Sequence, residues 1–219
     1  VLSTARLVAA AGVPICSINM GRVGFLAEIE LPDLKVKLGN LLSQEYYLEE
    51  RLMIDAFVRR AGTVKQICTA LNDVVISKSG FSRMIKLKVF LEAELVADYQ
   101  ADGVIIATST GSTGYSLSAG GPVVNPALDV MLITPICPHT LYTRSIIVSD
   151  REEIRIATFS ADRDNILTAD GQIYYNLLPE DEIFVRCSPY KAKFIRFNVK
   201  YYYKKLRTKL RRSEKDADF

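Results

Sequence analysis

The chain has 219 residues, 49% of them hydrophobic and 24% charged, a balance that excludes disorder and permits one large domain or a domain plus part of another. Its net charge of +3 sits mostly in the last twenty residues, so the near-neutral body offers no broad nucleic-acid surface. No apolar run approaches the length needed to cross a bilayer.

In chain order, Leu2 to Ala11 reads as a helix with Leu2, Ala5, Val8 and Ala9 on one face and Gly12 as its stop. No capping residue or first turn precedes it, so the chain is expected to begin inside the helix. Val13 to Ile18 reads as a buried strand leading into the glycine-bearing loop Asn19–Phe25. Helix, strand and glycine loop make one unit of an α/β sheet, read here as the remnant of an upstream Rossmann-like domain. Pro32 to Ser43 reads as a second helix, with proline in the first turn and Leu34, Leu38, Leu41 and Leu42 on one stripe.

From Tyr46 the period changes to two. Leu52, Ile54, Ala56 and Val58 alternate with Met53, Asp55, Phe57 and Arg59, and Ile85, Leu87 and Val89 alternate with Lys86 and Lys88. Ile154 and Ile156 flank Arg155, and Ile183, Val185 and Cys187 flank Phe184 and Arg186. Such alternation predicts antiparallel sheets on a shared core. Turn signals at Ala61-Gly62, Ser79-Gly80, Asp170-Gly171 and Pro179-Glu180-Asp181 separate the strands. The fold class is therefore α+β, in three parts. Residues 1–45 are the α/β remnant with its connecting helix, 46–197 an antiparallel β-sandwich, and 198–219 a carboxyl-terminal basic helix and tail. In that tail Tyr202, Tyr203, Leu206 and Leu210 share a stripe, which favours docking, onto the amino-terminal domain, over contact with nucleic acid.

Cys16, Cys68, Cys137 and Cys187 stand singly among apolar neighbours, without metal-ligand spacing, and read as buried free thiols of a reducing cytoplasm. His139, the one histidine, reads as a packed, hydrogen-bonded side chain rather than a ligand. With no His/Cys/carboxylate cluster, no tightly held structural metal is expected.

The segment richest in chemistry runs from Asp102 through the strand Val104–Ala107 into Thr110-Gly111-Ser112-Thr113-Gly114-Tyr115-Ser116-Leu117-Ser118-Ala119-Gly120-Gly121-Pro122. Glycines let a backbone approach a ligand closely, and Ser and Thr hydroxyls donate and accept hydrogen bonds. Tyr115 offers a flat apolar face with a polar tip, suited to an adenine or a ribose, and Asp102 is an acceptor suited to an amide. The stretch is neither a Walker loop nor a GxGxxG fingerprint. From composition alone it also fits a tight glycine-rich corner of a β domain.

The order of residues is more specific. Thr110–Pro122 resembles the signature of the NAD kinase family, and four further segments are similar to that family's landmarks in the same order: Gly24-Phe25-Leu26, Ala70-Leu71-Asn72-Asp73, Pro135–Leu141 and Asp170-Gly171-Gln172. The resemblance covers essentially the whole chain. It implies phosphorylation of the adenosine ribose 2′-hydroxyl of NAD to give NADP, with ATP or polyphosphate as donor and Mg²⁺ or another divalent metal accompanying the donor. It also implies an α/β domain and a β-sandwich with the active site between them, and assembly as a homodimer or homotetramer whose sites draw on a neighbouring subunit.

Residue by residue, the resemblance gives Asn72 and Asp73 the adenosine half of NAD. An Asx turn ahead of the strand Val74–Ile76 remains the alternative. Thr113, Gly114, Tyr115, Ser116, Leu117 and Ser118 match the loop around the dinucleotide, and Asp102 the carboxylate near the nicotinamide end. Arg83 and Gln100 fall where the family often has basic residues near phosphates, Gln100 departing from the commoner arginine. Gln172 matches a further ligand contact and Phe25 an aromatic at the site edge. Gly114 replaces the more usual alanine, and Ser109 stands where proline is common.

The family's Gly-Gly-Asp-Gly-Thr loop, whose aspartate is the general base, is absent from these 219 residues. Val1-Leu2-Ser3-Thr4-Ala5 resembles what directly follows it. The expectation is that the catalytic residue precedes Val1 and that this chain alone does not turn over, whereas the intact protein does. The alternatives are a dinucleotide-binding sensor without kinase activity and a lipid kinase of the diacylglycerol type, against which the Tyr115 loop and the Pro135–Thr140 motif argue.

Overall fold

The computed structural model describes residues 1–20, 26–79, 83–139, 143–159 and 165–197, together with Tyr202, Leu206 and Arg207. The chain opens with α1 (Leu2–Val8), β1 (Ile18–Asn19), β2 (Ile29–Glu30), a 3-10 turn over Leu31–Asp33, α2 (Leu34–Leu42) and β3 (Tyr47–Arg51). Next come β4 (Ile54–Arg60), β5 (Thr63–Ala70), β6 (Asp73–Lys78), β7 (Ile85–Leu91), β8 (Glu94–Ala101) and β9 (Gly103–Thr108). A 3-10 turn over Gly111–Thr113 and the four-residue α3 (Tyr115–Ser118) precede β10 (Val130–Ile136), β11 (Ile146–Ser149) and β12 (Ile154–Thr158). The last strands are β13 (Asn165–Ala169), β14 (Ile173–Leu177), β15 (Glu182–Cys187) and β16 (Ala192–Arg196).

Two compact units result. One is Arg51–Ala192; the other gathers Ser3–Glu50 with the chain from Lys193 onward.

The larger unit is a sandwich of two six-stranded sheets, ordered β11-β10-β9-β6-β13-β14 and β5-β4-β15-β12-β7-β8, with antiparallel neighbours throughout. The period-two segments supply one half of its core: Ile54, Val58, Ile85, Leu87, Val89, Ile154, Ile156, Ile183 and Val185 all face inward. The opposite sheet answers with Val74, Ile76, Val104, Ile106, Met131, Ile133 and Leu167. β9 is buried at every position, because the outer face of its sheet is covered too, where Val75, Ile105, Ala107 and Leu132 pack with Val124 and Ile136. A strand covered on both faces reads as an unbroken apolar run, which is how 103–108 looks. Leu87 is fully buried in this core, and Leu87→Ala is expected to lower unfolding stability by ~2–5 kcal/mol in a urea titration.

Left-handed residues make the tight turns. Ala61 and Gly62 both have positive φ between β4 and β5, and Asp170 and Gly171 do the same between β13 and β14, matching the twist of the strands they join. Pro179 and Glu180, the latter at φ +72°, turn the chain into β15.

In the smaller unit several sequence expectations are corrected. α1 ends at Val8, and the next residues unwind into a turn closed by Gly12 at φ +66°. Val13–Ile18 is not a strand buried on both sides. Ile15, Ser17 and Asn19 are buried, but Val13 and Ile18 are exposed, and among the described residues pairing is limited to a parallel bridge from Ile15 to Phe194 and the short parallel pair β1–β2. On the leucine stripe of α2, Leu38 and Leu42 are exposed and Leu34 and Leu41 half-buried. Within the same unit Arg196 ties β16 down, its Nε donating to Glu49 Oε2 at 2.5 Å and its Nη1 to the Leu26 carbonyl at 2.9 Å.

All four cysteines are free, but only Cys68 is buried; Cys16 and Cys187 are half-buried and Cys137 is exposed at φ +45°. His139 is exposed rather than packed, although its backbone N–H donates to the Gln100 carbonyl at 2.8 Å. Among the described residues no helix is long and apolar enough to cross a membrane. Of the basic tail, Tyr202, Leu206 and Arg207 are helical, and the rest lies outside the described residues.

Candidate functional site

The site is built where β6 begins and β9 ends. These strands are antiparallel partners with Asp73 opposite Ala107, so Asn72 and Asp73 enter β6 just where β9 leaves for the glycine loop. The Thr108 backbone N–H donates to the Asn72 carbonyl at 2.8 Å, and Thr108 Oγ1 donates to the Leu71 carbonyl at 2.6 Å. The Gly111 N–H then returns to Thr108 Oγ1 at 3.0 Å, closing the loop on the turn.

Gly111 is glycine for a steric reason. A Cβ there would lie 2.0 Å from the Asn72 carbonyl oxygen and 2.5 Å from its carbon. Gly121 is equally constrained, its Cβ position falling 2.4 Å from Ser116 Oγ. Gly114 is different. A Cβ would sit 3.7 Å from both Asn72 Nδ2 and Asp73 Oδ2, so the amide and the carboxylate converge on this loop.

On the far side, Asp170 collects three backbone donors: Asn72 N at 2.7 Å, Leu71 N at 3.2 Å and Asp73 N at 3.4 Å. Its own N–H donates to the Asp73 carbonyl at 2.9 Å. The backbone of the turn is thus held entirely by other groups. Among the described residues no donor reaches the Asp73 carboxylate and no partner engages the Asn72 amide. Burial, followed by the negative charge of Asp170, pushes the Asp73 carboxyl up to about 7. A buried acceptor without a donor costs free energy unless something supplies one.

The glycine loop presents a mixture of inward and outward groups. Ser116 is fully buried, its Oγ 3.0 Å from Thr134 Oγ1, and Ser112 Oγ donates to the Ser109 carbonyl at 2.7 Å. These hydroxyls fasten the loop. Tyr115 and Ser118 are exposed, and Thr113, Gly114 and Leu117 half-buried, so these are the members open to a ligand. Gln172 is exposed beside the Asp170–Gly171 turn and belongs to the same corner.

The remaining expected residues are elsewhere. Asp102 marks the crossing from β8 to β9, five residues before Ala107, which at ~3.4 Å per residue puts it about 17 Å from the Asn72–Asp73 turn. There it pairs with Lys78, Nζ to Oδ1 at 2.7 Å. Gln100 lies opposite Lys86 in the β7–β8 pair and lines an open cavity of about 500 Å³ with Lys86, Lys88, Asp98, Tyr99 and Phe159. Arg83, exposed just before β7, lies at this same end of the sandwich, since Ile85 pairs with Ala101. Phe25 lies outside the described residues. The expected residues therefore form two groups at opposite ends of β9, the Asn72–Asp73 corner and a charged end.

The sequence alone does not mark Thr108 or Asp170 as site residues. Thr108 resembles any other hydroxyl of its stretch, and Asp170 reads as a turn signal; only the register of β6, β9 and β13 places both against Asn72.

Comparison with known proteins bears on this geometry. Residues 71–197 match the family model of the ATP-NAD kinase C-terminal domain, and residues 1–46 that of the ATP-NAD kinase N-terminal domain. The chain is 42% identical over 218 residues to the NAD kinase of Carboxydothermus hydrogenoformans, covering 100% of this chain and 78% of that one. It is 47% identical over 210 residues to the NAD kinase of Moorella thermoacetica, covering 96% and 67%. Among solved structures it is similar to yeast NADH kinase complexed with NADH, with a TM-score of 0.83 and 28% identity over 89% of this chain and 57% of that one. It is likewise similar to an NAD kinase from Archaeoglobus fulgidus in complex with ATP, with a TM-score of 0.77 and 28% identity over 90% and 74%.

Proposed function

This chain belongs to the NAD kinase family, and on that footing we propose that it carries the dinucleotide-binding part of an enzyme that phosphorylates the 2′-hydroxyl of the adenosine ribose of NAD, giving NADP. The observation that supports this most is the convergence on Gly114 of the buried Asp73 carboxylate and the half-buried Asn72 amide, neither with a side-chain hydrogen bond among the described residues. Vicinal ribose hydroxyls supply donors to Asp73, and an adenine edge both donates to and accepts from an amide such as Asn72. The exposed ring of Tyr115 lies on the loop that Gly114 brings to them and gives the flat apolar surface.

The phosphate donor is ATP or polyphosphate. Among the described residues no three metal-ligating side chains cluster. A divalent cation would enter with the donor's phosphates and would supply neutralisation of charge on the transferred group. The chain's own residues bind and orient the acceptor. The general base is the aspartate of a Gly-Gly-Asp-Gly-Thr loop that these residues do not include. The test is NADP⁺ formation from NAD⁺ and Mg-ATP by the full-length protein, read with an NADP-specific dehydrogenase. Steady turnover is expected; NAD⁺ binding without any NADP⁺ would instead favour a dinucleotide sensor.

The separation of the two residue groups supports a homo-oligomer, a homodimer or homotetramer. Two copies facing each other bring the Asp102 end of one to the Asn72 end of the other, and so complete each site from both chains. Co-assembled Asp73→Ala and Asp102→Ala subunits should then recover roughly a quarter of the wild-type rate, since half of random pairs are mixed and each carries one intact site. No recovery above the separate variants would place both groups on one chain's site.

A further inference from the structure

We infer that Asp170 is a positioning residue for the adenosine half of the dinucleotide, acting through the Asn72–Asp73 turn without touching the ligand itself; this rests on the nucleotide reading of that corner. Asp170 stands 98 residues beyond Asn72 in the chain, yet its carboxylate accepts from three consecutive backbone N–H groups there. It is nearly buried, and its own N–H closes a fourth bond onto the Asp73 carbonyl.

In an ordinary Asx turn the Asn or Asp side chain satisfies its own neighbouring N–H groups. Here a foreign carboxylate does so instead. The consequence is specific: the Asn72 amide and the Asp73 carboxylate are released from holding their own backbone and remain available to a ligand. Thr108 completes the arrangement from the opposite side by bonding the Leu71 and Asn72 carbonyls. The turn is clamped through its donors by Asp170 and through its acceptors by Thr108. Asp170 does this from a left-handed conformation, φ +53°, which aspartate tolerates better than most residues.

Asp170→Asn separates positioning from mere support. Asparagine also tolerates the left-handed conformation and keeps one acceptor oxygen. Its amide nitrogen, however, sets a donor where the second oxygen accepted the Leu71 N–H. The turn is expected to tip, and Asn72 will then reclaim its own backbone donors.

The experiment titrates the full-length protein with NAD⁺ by calorimetry and measures KM for NAD⁺ and for ATP. For a folded Asp170→Asn protein the expected result is at least a tenfold rise in Kd and KM for NAD⁺ with KM for ATP changed less than twofold. Asn72→Ala, costly in the wild-type background, should cost less than threefold once Asp170 is Asn. Unchanged NAD⁺ affinity, or equal loss of both substrates with additive Asn72 effects, would overturn the assignment. If Asp170→Asn does not fold, Asp170→Gly, which relieves the left-handed backbone, carries the same comparison with the same expectations. Failure of the wild-type protein to bind NAD⁺ would sink the nucleotide reading of the corner, a result distinct from failure of the Asp170 assignment.

Discussion

Asp73→Asn raises the melting temperature of the unliganded protein at pH 8 and weakens NAD⁺ binding by about 10–100-fold, the range expected for losing a charged hydrogen-bond acceptor. Both effects come from one buried carboxylate. Its folded pKa of about 7 lies above the unfolded value near ~3.9, so between those limits the folded protein binds more protons than the unfolded chain. Stability therefore falls as pH rises through that window, and above it the whole cost of burying the charge is present. Asparagine removes that cost, a gain on the order of 4 kcal/mol for a shift of about three units, or roughly 8–16 °C at this chain length. NAD⁺ binding runs the other way. Hydroxyl donors favour the ionised carboxylate, so affinity should rise up to about tenfold per pH unit below 7 and level off above it. A melting series over pH 4–9, paired with NAD⁺ titrations, reads both slopes. A melting temperature for Asp73→Asn below wild type at every pH would contradict the assignment of the strain to this charge.

Gly111→Ala is expected to be at least as damaging, by a different route. Its Cβ would fall within 2.8 Å of the Asn72 Cα as well as on the carbonyl, and every atom it meets there is backbone. No side-chain rotation relieves the clash, so the loop or the turn must move. The expected cost is ~3 kcal/mol or more of stability, at the upper end for overpacking. The shift that accommodates it separates Asn72 from Gly114, so NAD⁺ affinity should fall at least tenfold even at a temperature where the variant stays folded. A melting curve and an NAD⁺ titration of the same sample check both. Wild-type affinity would show that the loop does not position the turn.

How much of this was legible in the sequence depends on how local the cause is. Ile85, Leu87 and Val89 declare their strand because one face is buried and the other wet, a property of three alternate residues. The turns at Ala61-Gly62 and Asp170-Gly171 declare themselves because they require left-handed backbone. Val13–Ile18 misled because its apolar content resembles a central strand, whereas its pairing is a single bridge and one short parallel pair. Leu38 and Leu42 form a stripe at helical spacing, yet they are exposed; spacing says which residues share a face, and only packing says whether that face is covered.

The site divides in the same way. The glycine loop and Asn72–Asp73 stood out by residue type, and the β6–β9 register brings them together. Asp102, Gln100 and Arg83 stand at the other end of β9, a separation set by the length of that strand, which residue types do not encode. Ser116 looked like a ligand hydroxyl beside Ser118; burial against Thr134 turns it into a fastening.

The most direct measurement is an NAD⁺ titration of this 219-residue chain itself, followed by calorimetry beside its Asp73→Ala variant. Saturable binding to the chain, weakened at least tenfold in a variant that remains folded, is the predicted result and would place the adenosine half of the dinucleotide at the Asn72–Asp73 corner. Equal affinity in the two proteins, or no binding to either while the full-length protein binds NAD⁺ normally, would contradict it.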